Sequence, residues 1–321
     1  MAIKRIGVLT SGGDAPGMNA AIRGVVRSSF SRKVEVFGIF RGYAGLLNDE
    51  VKPLSHHSVS NIINRGGTIL KTSRCPEFMT KEGQKKAVEI LKRNSIDALV
   101  VIGGDGSYRG ASILSKEWNI PCVGLPGTID NDLFGTEKTI GSDTALETAL
   151  GAIDKIKDTV NSMERIFIVE VMGRNCGYIA LKSALAGGAE QVLIPEVQFD
   201  ISELCHEITE GYIRGKASWI IVVAEGAIKG EDLAKKVMDM TDLETRVVVL
   251  GHIQRGGSPT AEDRILGGRL GVAAVDVLLK GLSGKAIGLV CDKINIVDLE
   301  AATVGFKLDP REDLGLIKIL T

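Results

Sequence analysis

The sequence predicts an α/β fold in which largely parallel sheets are arranged in two lobes. Short β-branched segments alternate with longer helical patterns, which is typical of successive βαβ units. Glycine accounts for 39 of the 321 residues and aromatic residues for only 4%, a composition that suits strands and helices joined by many tight turns. Polar loops fall into two groups, one before about residue 135 and one at Glu170–Gly177 and Glu225–Gly226. Two lobes that face one cleft would account for this arrangement.

Short apolar segments are predicted as strands, in chain order Ile6–Leu9, Val34–Ile39, Leu99–Ile102, Val123–Leu125, Ile166–Val171, Trp219–Ala224, Val247–Leu250 and Ile287–Val290. Between residues 142 and 161, apolar residues recur every three or four positions and so describe one long amphipathic helix. No linker, low-complexity segment or internal repeat marks a boundary, so a division into lobes rests on pattern alone.

Composition excludes several classes of protein. The formal net charge is −1, with 39 basic and 40 acidic residues spread throughout, so no overall field favours nucleic acid or an anionic membrane. The five cysteines lie far apart, so neither a zinc site nor a disulfide framework is predicted. No apolar stretch approaches the roughly 18 residues that span a bilayer, and the N-terminus lacks a signal peptide's apolar core. We therefore expect a soluble, cytoplasmic protein that binds neither nucleic acid nor membranes.

Two glycine-rich turns are candidates for phosphate binding. Ser11–Gly17 carries the chain from its first strand into a helix, and glycine lets backbone N–H groups approach an anion at a helix start. It is neither Gly-x-Gly-x-x-Gly nor a P-loop, so a structural turn is an equal alternative. Gly103–Ser107 reads Gly-Gly-Asp-Gly-Ser and is the stronger signal. Its Asp105 can hold Mg²⁺, which takes one or two carboxylates together with substrate phosphates, or can cap a helix.

A third loop, Pro126–Asp132, reads Pro-Gly-Thr-Ile-Asp-Asn-Asp. Like Gly103–Ser107, it would lie at the carboxyl end of a buried strand, where open α/β sheets bind ligands. Asp130 and Asp132 would share one side of an extended segment but diverge in a turn. One acid can take the proton of a substrate hydroxyl while the other orients it or the metal, and such a base contributes about 10²–10⁴ in rate. Ordinary turn chemistry explains an isolated Asp-Asn-Asp equally well, but the two loops together suggest phosphoryl transfer to a hydroxyl.

Basic side chains complement these acids, because guanidinium groups bind phosphate through paired hydrogen bonds and keep their charge. The candidates stand beside glycines, strand ends or other polar residues; they are Arg74, Arg165, Arg174, Arg246 and Arg255, with His252 nearby. Taken singly, each arginine is more typical of a solvated surface, and the histidine of a structural role.

Assembled, these stretches closely resemble the bacterial ATP-dependent 6-phosphofructokinases of the tetrameric, allosteric type, essentially from end to end. The matching motifs are Leu9–Asn19, Gly103–Ser107, Pro126–Asp132, Val171–Arg174 and Leu250–Pro259. The resemblance implies transfer of the γ-phosphoryl group of ATP, with Mg²⁺, to the 1-hydroxyl of fructose 6-phosphate, the committed step of glycolysis. It also implies two Rossmann-like three-layer lobes with the active site in the cleft between them. Residues 1–138 and 251–302 would form the larger, ATP-binding lobe, and 139–250 and 303–321 the smaller, fructose 6-phosphate-binding lobe.

The resemblance also assigns roles to motif positions. Asp130 would be the general base, held by Asp132, with Thr128, Arg174 and Arg74 as further catalytic residues, and Asp105 would bind Mg²⁺. The implied ATP site comprises Gly13, Arg74, Cys75, Gly104, Asp105, Gly106 and Ser107. The implied sugar phosphate site comprises Thr128, Ile129, Asp130, Arg165, Met172, Gly173, Arg174, Glu225, Arg246, His252, Ile253, Gln254 and Arg255. Arg165 and Arg246 would reach the 6-phosphate from a neighbouring subunit of a homotetramer, so that rotation of subunits can withdraw this clamp.

Two glycines bear on the phosphoryl donor. Relatives that use pyrophosphate carry aspartate at the position of Gly106 and lysine at that of Gly127. An aspartate at 106 would place volume and negative charge where the ATP α-phosphate is expected, whereas glycine leaves space. The sequence therefore favours ATP.

A second anionic site, for ADP as activator and phosphoenolpyruvate as inhibitor, is implied by the resemblance. Its residues would be Arg23, Gly24, Val25, Val26, Arg27, His56, Asn61, Lys157, Gly188, Ala189, Glu190, Arg214, Lys216, Ala217 and Ser218. His56 and Lys157 stand where a relative has arginine, and Asn61 replaces aspartate. Histidine is mostly neutral at pH 7 and lysine lacks the bidentate fork, so we expect weakened or more pH-dependent effector control. Tyr178, where relatives have aspartate, receives no role.

Two other functions compete with this one. NAD kinases and lipid kinases also use Gly-Gly-Asp-Gly-Ser/Thr beside a nucleotide, but the runs 126–132 and 252–259 weigh against them. A non-catalytic nucleotide sensor could retain the same fold. Intact Asp105, Asp130, Asp132 and Arg174 argue against that loss of activity.

Overall fold

The computed structural model describes residues 3–163, 165–216, 218–304 and 308–321. The chain divides into two compact units, Met1–Thr144 with Arg255–Phe306 and Ala145–Gln254 with Lys307–Thr321. The lobe boundaries expected from the sequence, after residues 138, 250 and 302, each precede the observed divisions by a few residues. The chain therefore leaves the first unit once, returns to it, and ends in the second.

Both units are built from strands and helices in alternation. The strands are β1 (Arg5–Thr10), β2 (Glu35–Ile39), β3 (Val51–Leu54), β4 (Ala98–Gly103), β5 (Cys122–Pro126), β6 (Ile166–Val171), β7 (Gln191–Leu193), β8 (Trp219–Ala224), β9 (Thr245–Val249), β10 (Lys285–Val290) and β11 (Lys293–Asp298). The helices are α1 (Met18–Ser31), α2 (Gly42–Leu47), α3 (Lys81–Arg93), α4 (Asp105–Trp118), α5 (Ser142–Met163), α6 (Tyr178–Gly187), α7 (Ile201–Ile213), α8 (Gly230–Thr241), α9 (Ala261–Leu279), α10 (Leu299–Ala302) and α11 (Arg311–Leu320). Short 3₁₀ helices lie at Pro76–Met79 and Gly251–Arg255.

The first unit contains a seven-stranded sheet in the order β11-β10-β5-β4-β1-β2-β3. The five central strands are parallel, and the edge strands β11 and β3 pair antiparallel with their neighbours. From β1 the chain moves outward to β2, whereas β4 lies on the other side of β1 and leads to β5. The loops that follow β1 and β4 therefore flank the point where strand order reverses, which is where such sheets bind ligands.

The second unit contains a four-stranded sheet in the order β7-β8-β6-β9, and all of its pairs are parallel. β6 and β8 are buried almost throughout, as expected of parallel strands covered on both faces. A cluster of buried residues that includes Ile168, Ile221 and Leu233 forms its core. Strand order reverses at β6, so the loop after this strand is the ligand-binding position that the topology predicts.

The helices α1 and α9 of the first unit pack with their backbones in close contact. An added Cβ on Gly24 would lie 2.7 Å from Gly268 O, and one on Gly271 would lie 2.5 Å from Ala21 O. Only glycine permits this approach. It fixes α1, and hence the turn that enters α1, against the start of α9.

The mixed α/β class with mostly parallel sheets is confirmed. Every predicted strand segment overlaps an observed strand, and the helix predicted over 142–161 is α5. The strands β3, β7 and β11 were not predicted, because β3 contains Pro53, β7 has three residues, and β11 is exposed along most of its length. None of the described helices combines the length and apolarity needed to cross a membrane.

Candidate active site

The turn Ser11–Gly17 lies between β1 and α1, at the reversal point of the first sheet. Gly12 and Gly17 have φ values of 87° and 105°, which glycine adopts readily. The guanidinium of Arg255 lies against Gly13, since an added Cβ there would stand 1.6 Å from Arg255 Nη1. Arg255 Nε is buried and has no hydrogen-bond partner in the described ranges. A positive charge is thus held at the backbone of this turn.

The Gly103–Ser107 run forms the passage from β4 into α4. Gly103 is required by packing, since an added Cβ would lie 2.4 Å from Ser11 O, whereas one on Gly106 would meet no atom within 4 Å. The helix cap is Gly104 rather than Asp105. Asp105 is the first residue of the helix, and its carboxylate pairs with Arg109 at 3.0 Å while staying 40% exposed. The capping alternative for Asp105 is therefore wrong, and the carboxylate remains accessible.

The Pro126–Asp132 loop leaves β5 directly beside the preceding loop, because Gly127 N donates to Gly103 O at 3.1 Å. Thr128 Oγ1 accepts from Asp130 N at 3.3 Å and donates to Asp132 Oδ1 at 3.4 Å. Thr128 is thus the side chain around which both acids are arranged. Between them, Asn131 has a left-handed φ of 50° and donates from Nδ2 to the Glu137 carbonyl at 3.0 Å.

Burial raises the pKa of Asp132, and the charge of Asp105 raises it further, while backbone and Thr128 hydrogen bonds oppose the shift. The two carboxylates therefore lie near enough to repel each other. A divalent cation would relieve that repulsion. The described residues contain no group of three or more His, Cys, Asp or Glu side chains arranged for a metal. Asp105 is nevertheless an accessible carboxylate, the kind of group that binds Mg²⁺ together with phosphate oxygens.

Arg74 and Cys75 follow a loop that two buried side chains fix in place. Asn19 donates from Nδ2 to Arg65 O at 2.9 Å and accepts from Ile69 N at 2.8 Å. Thr10 donates from Oγ1 to Lys71 O at 2.9 Å. Arg74 itself is exposed, and Cys75 is half-buried at the start of the 3₁₀ helix. Neither Asn19 nor Thr10 was singled out from the sequence as a site residue.

In the second unit, the loop after β6 contains Met172, Gly173 and Arg174. Gly173 has a φ of 140°, and an added Cβ would lie 2.4 Å from Cys176 O. This loop lies beside the end of β8, because Glu225 N donates to Val171 O at 2.9 Å and the next residue donates to Gly173 O. The exposed Arg174 and the half-buried Glu225 therefore project from neighbouring strand ends.

Arg165 and Arg246 of the second unit meet at a single carboxylate. Arg165 Nε pairs with Glu244 Oε2 at 2.8 Å, and the Arg246 guanidinium pairs with Oε1 of the same residue. Two arginines far apart in sequence are therefore adjacent at the amino-terminal ends of β6 and β9. Their shared partner Glu244 was not singled out from the sequence.

Some predicted binding residues are buried and can act only through their backbone or through neighbours. Gln254 is fully buried; it accepts from Met172 N at 3.3 Å and donates to Gly251 O at 3.0 Å. Its side chain therefore holds the loop after β6 and does not face solvent, whereas its neighbours His252 and Ile253 are exposed. Ile129 is also buried, with 2% of its surface exposed.

The predicted effector residues fall in both units. In the first, Arg23 and Arg27 are partly exposed on α1, the Arg27 guanidinium contacts His56 Nε2, and Asn61 is exposed with a left-handed φ of 56°. Gly24, Val25 and Val26 lie on the buried side of α1. The side chains of Val25 and Val26 pack inside the unit, and Gly24 has none, so an effector would meet these three residues through their backbone.

In the second unit, Glu190 accepts from Ile220 N at 2.7 Å and pairs with Lys216 at 3.2 Å. Gly188 has a φ of 58° and lies next to the ammonium of Lys157. Arg214 pairs with Glu210 at 2.6 Å. Of the remaining predicted residues, Ala189 is buried, Ser218 is partly exposed, and Ala217 lies outside the described residues.

The chain is similar to known proteins over nearly its whole length. Residues 5–278 match the sequence profile of the family described as phosphofructokinase. The ATP-dependent 6-phosphofructokinase of Bacillus subtilis is 56% identical over 292 residues, 91% of each chain. That of Clostridium novyi is 54% identical over 99% of this chain and 100% of its own. A solved phosphofructokinase from Saccharomyces cerevisiae is 37% identical with a TM-score of 0.87; it matches 94% of this chain over 45% of its own.

Proposed function

The chain belongs to the phosphofructokinase family, and we propose that it transfers the γ-phosphoryl group of ATP to the 1-hydroxyl of fructose 6-phosphate. The products are ADP and fructose 1,6-bisphosphate. The observation that carries this proposal is the hydrogen bond between Gly127 N and Gly103 O. It brings a loop with a candidate base beside a glycine-acid loop suited to a magnesium nucleotide, which is the arrangement that phosphoryl transfer to a hydroxyl requires.

Asp130 is the proposed general base. Its carboxylate accepts the proton of the 1-hydroxyl as that oxygen bonds to the γ-phosphorus, while the bond from phosphorus to the bridging oxygen of ADP breaks. The bond from Asp130 N to Thr128 Oγ1 fixes the loop around the base. Asp132 acts through its bond with Thr128, so we assign it an orienting role. A base of this kind contributes about 10²–10⁴ in rate.

Mg²⁺ is the proposed metal, and Asp105 is the residue that would hold it. When bound, the ion would neutralise charge that develops on the phosphate oxygens. The partial exposure of Asp105 and its effect on the pKa of Asp132 support this assignment. The chain's own contribution is to present the Asp105 carboxylate, paired with Arg109 at 3.0 Å, on a partly exposed surface at the start of α4.

The remaining groups supply positive charge and shape. For ATP we propose Gly13, Arg74, Cys75, Gly104, Gly106 and Ser107. For the sugar phosphate we propose Thr128, the backbone of Ile129, Met172, Gly173, Arg174, Glu225, His252, Ile253 and Arg255, with Gln254 holding Met172 in place. The backbone bonds between the ends of β6 and β8 support the joint action of Arg174 and Glu225.

The choice of ATP over pyrophosphate rests mainly on Gly106. No neighbour lies within 4 Å of an added Cβ there, so the fold itself does not require glycine, and a ligand that needs the space explains its presence. Gly127 is different. An added Cβ would lie 2.9 Å from Met18 Cε and 3.2 Å from Gly103 N, so packing already accounts for glycine at 127.

We further propose a homotetramer regulated by ADP and phosphoenolpyruvate. The convergence of Arg165 and Arg246 on Glu244 supports their joint action on a neighbouring subunit's 6-phosphate, since a phosphate dianion would replace the carboxylate. The proposed effector residues are the projecting side chains described above: Arg23, Arg27, His56, Asn61, Lys157, Glu190, Arg214 and Lys216.

Substitution of the proposed base, Asp130, tests this function. Asp130→Ser should lower the rate of ADP release with fructose 6-phosphate by about 10²–10⁴ while calorimetry finds unchanged ATP affinity. Asp154→Asn, which removes an exposed acid on α5, is the control and should keep full turnover. Unchanged turnover in Asp130→Ser would eliminate Asp130 as base.

A further inference from the structure

Asp263, in the first turn of α9, is a fully buried acid with no role assigned above. Its Oδ1 accepts from Gly141 N at 2.7 Å. Its Oδ2 accepts from Thr144 N at 2.9 Å and from Thr144 Oγ1 at 2.5 Å. Burial raises the pKa of Asp263, whereas these three bonds lower it. Transfer of a carboxylate from water to the protein interior costs free energy, and hydrogen bonds from donors such as these three offset that cost.

The segment that Asp263 holds also supports the loop of the proposed base. Thr139 Oγ1 donates to Thr128 O at 2.6 Å, and Ile140 N donates to Pro126 O at 2.8 Å. The next residue along the chain, Gly141, is the one that Asp263 binds. Residues 139–141 therefore connect the Asp263 carboxylate to both ends of the stretch that precedes Asp130.

Thr260, the cap of α9, adds a second connection to the same segment. Its Oγ1 accepts from Asp263 N at 3.3 Å and donates to Asp143 Oδ2 at 2.7 Å. Its backbone N donates to Thr144 Oγ1 at 3.0 Å. Asp263 also touches the end of the first glycine turn, since an added Cβ on Gly17 would lie 3.2 Å from Asp263 Cβ. The start of α9 thus holds two loops of the proposed site.

We propose that Asp263 is a positioning residue for phosphoryl transfer, which acts by fixing residues 139–144 and through them Thr128 and Asp130. This inference rests on the proposed function, because it takes Asp130 as the base. Asp263 touches neither reacting group and is not itself a catalytic residue.

The bonding pattern requires aspartate at this position. Both carboxylate oxygens face N–H donors, one on Gly141 and one on Thr144. An asparagine would turn its NH₂ group toward one of these donors in either orientation, leaving that N–H buried without an acceptor. Asp263→Asn therefore disturbs the segment without changing side-chain volume.

The first experiment measures kcat and KM for Asp263→Asn. We expect kcat to fall about 10–10²-fold, as displacement of a catalytic group by about 1 Å does, with KM for both substrates changed less than about threefold. The control is Leu278→Ala, a fully buried residue near the end of the same helix, which should lower Tm and leave kcat unchanged. A wild-type kcat in a folded Asp263→Asn enzyme would overturn the inference.

The second experiment distinguishes positioning from a general structural role. On an Asp130→Ser background, adding Asp263→Asn should cost little further activity, because both act through one group. Losses that multiply would contradict the inference. If Asp263→Asn does not fold, two variants of Thr144 replace it. Thr144→Val removes the hydroxyl that donates to Asp263 and should lower kcat. Thr144→Ser keeps that hydroxyl and should have a kcat close to that of the wild type. If Asp130→Ser alone keeps full turnover, Asp130 is not the base, and the proposed mechanism fails together with this inference. If Asp130→Ser loses turnover while folded Asp263→Asn keeps a wild-type kcat, this inference alone fails.

Discussion

Replacing Gly106 by aspartate tests how the chain selects its phosphoryl donor. Gly106 is exposed in the first turn of α4, and an added Cβ meets no atom within 4 Å. The fold should therefore accept the side chain. An acid in a helix's first turn also gains about 0.3–1 kcal/mol from the helix dipole. Tm should consequently stay level or rise.

The substitution should lower kcat/KM for ATP without destabilising the fold. Two like charges about 4 Å apart repel by about 1 kcal/mol in water and about 4 kcal/mol at an effective dielectric constant of about 20. Since position 106 is exposed, an intermediate value of about 2–3 kcal/mol is appropriate, which corresponds to roughly 10²-fold in kcat/KM for ATP.

Two companion variants separate the contributions of size and charge. Gly106→Ala adds only a Cβ and should leave kcat/KM for ATP within about threefold, whereas Gly106→Asn adds the volume of aspartate without its charge and should be intermediate. The assay is coupled ADP release at saturating fructose 6-phosphate with ATP varied. Near wild-type kcat/KM in Gly106→Asp would refute the reasoning.

Three further predictions follow from other residues. Asn131→Ala should lower the free energy of unfolding in urea by about 1–2 kcal/mol, because alanine is strained at the left-handed φ of 50° and cannot make the hydrogen bond to Glu137 O. Asn131→Gly should lower it less, because glycine adopts this φ without strain. Equal losses in the two variants would contradict this explanation. Desolvation, and then the charges of Arg27, His57 and Arg23, lower the pKa of His56 from its ordinary value of 6.5. His56 therefore gains its positive charge only at acidic pH. Inhibition by phosphoenolpyruvate should consequently strengthen as the pH falls below 6.5 and stay weak between pH 6.5 and 8.5. Full inhibition that is constant from pH 6.5 to 8.5 would refute this, and His56→Arg should remove the pH dependence. Asn19→Asp replaces the amide that donates to the carbonyls of Arg65 and Gly66 with a carboxylate oxygen that these carbonyls repel. This variant should have a lower kcat, with its secondary structure unchanged by circular dichroism. An unaltered kcat would exclude Asn19 as the support of the loop before Arg74.

Much of the fold was predictable because the buried parallel strands read as continuous apolar runs. β4 and β5 are buried along their whole length, so Gly103–Ser107 and Pro126–Asp132 could be placed at their carboxyl ends from the sequence. That they touch depends on the pairing of β4 with β5, which local pattern does not encode.

The buried residues that hold the site loops in place leave little trace in the sequence. Asp263 stands three residues after the cap Thr260, a spacing that normally indicates a capping box, yet its carboxylate turns to Gly141 and Thr144, more than a hundred residues away. Gln254 lies within a motif of exposed residues but is buried. In both cases the partner is a backbone N–H, which any residue offers, and so the sequence carries no sign of the contact.

The most direct test of the account is coupled ADP release by the wild-type chain with fructose 6-phosphate as acceptor, comparing ATP with pyrophosphate and adding ADP or phosphoenolpyruvate. We predict turnover with ATP that requires Mg²⁺ and is lost in Asp130→Ser, and little with pyrophosphate. Equal turnover with pyrophosphate, or none with fructose 6-phosphate at any ATP concentration, would contradict it.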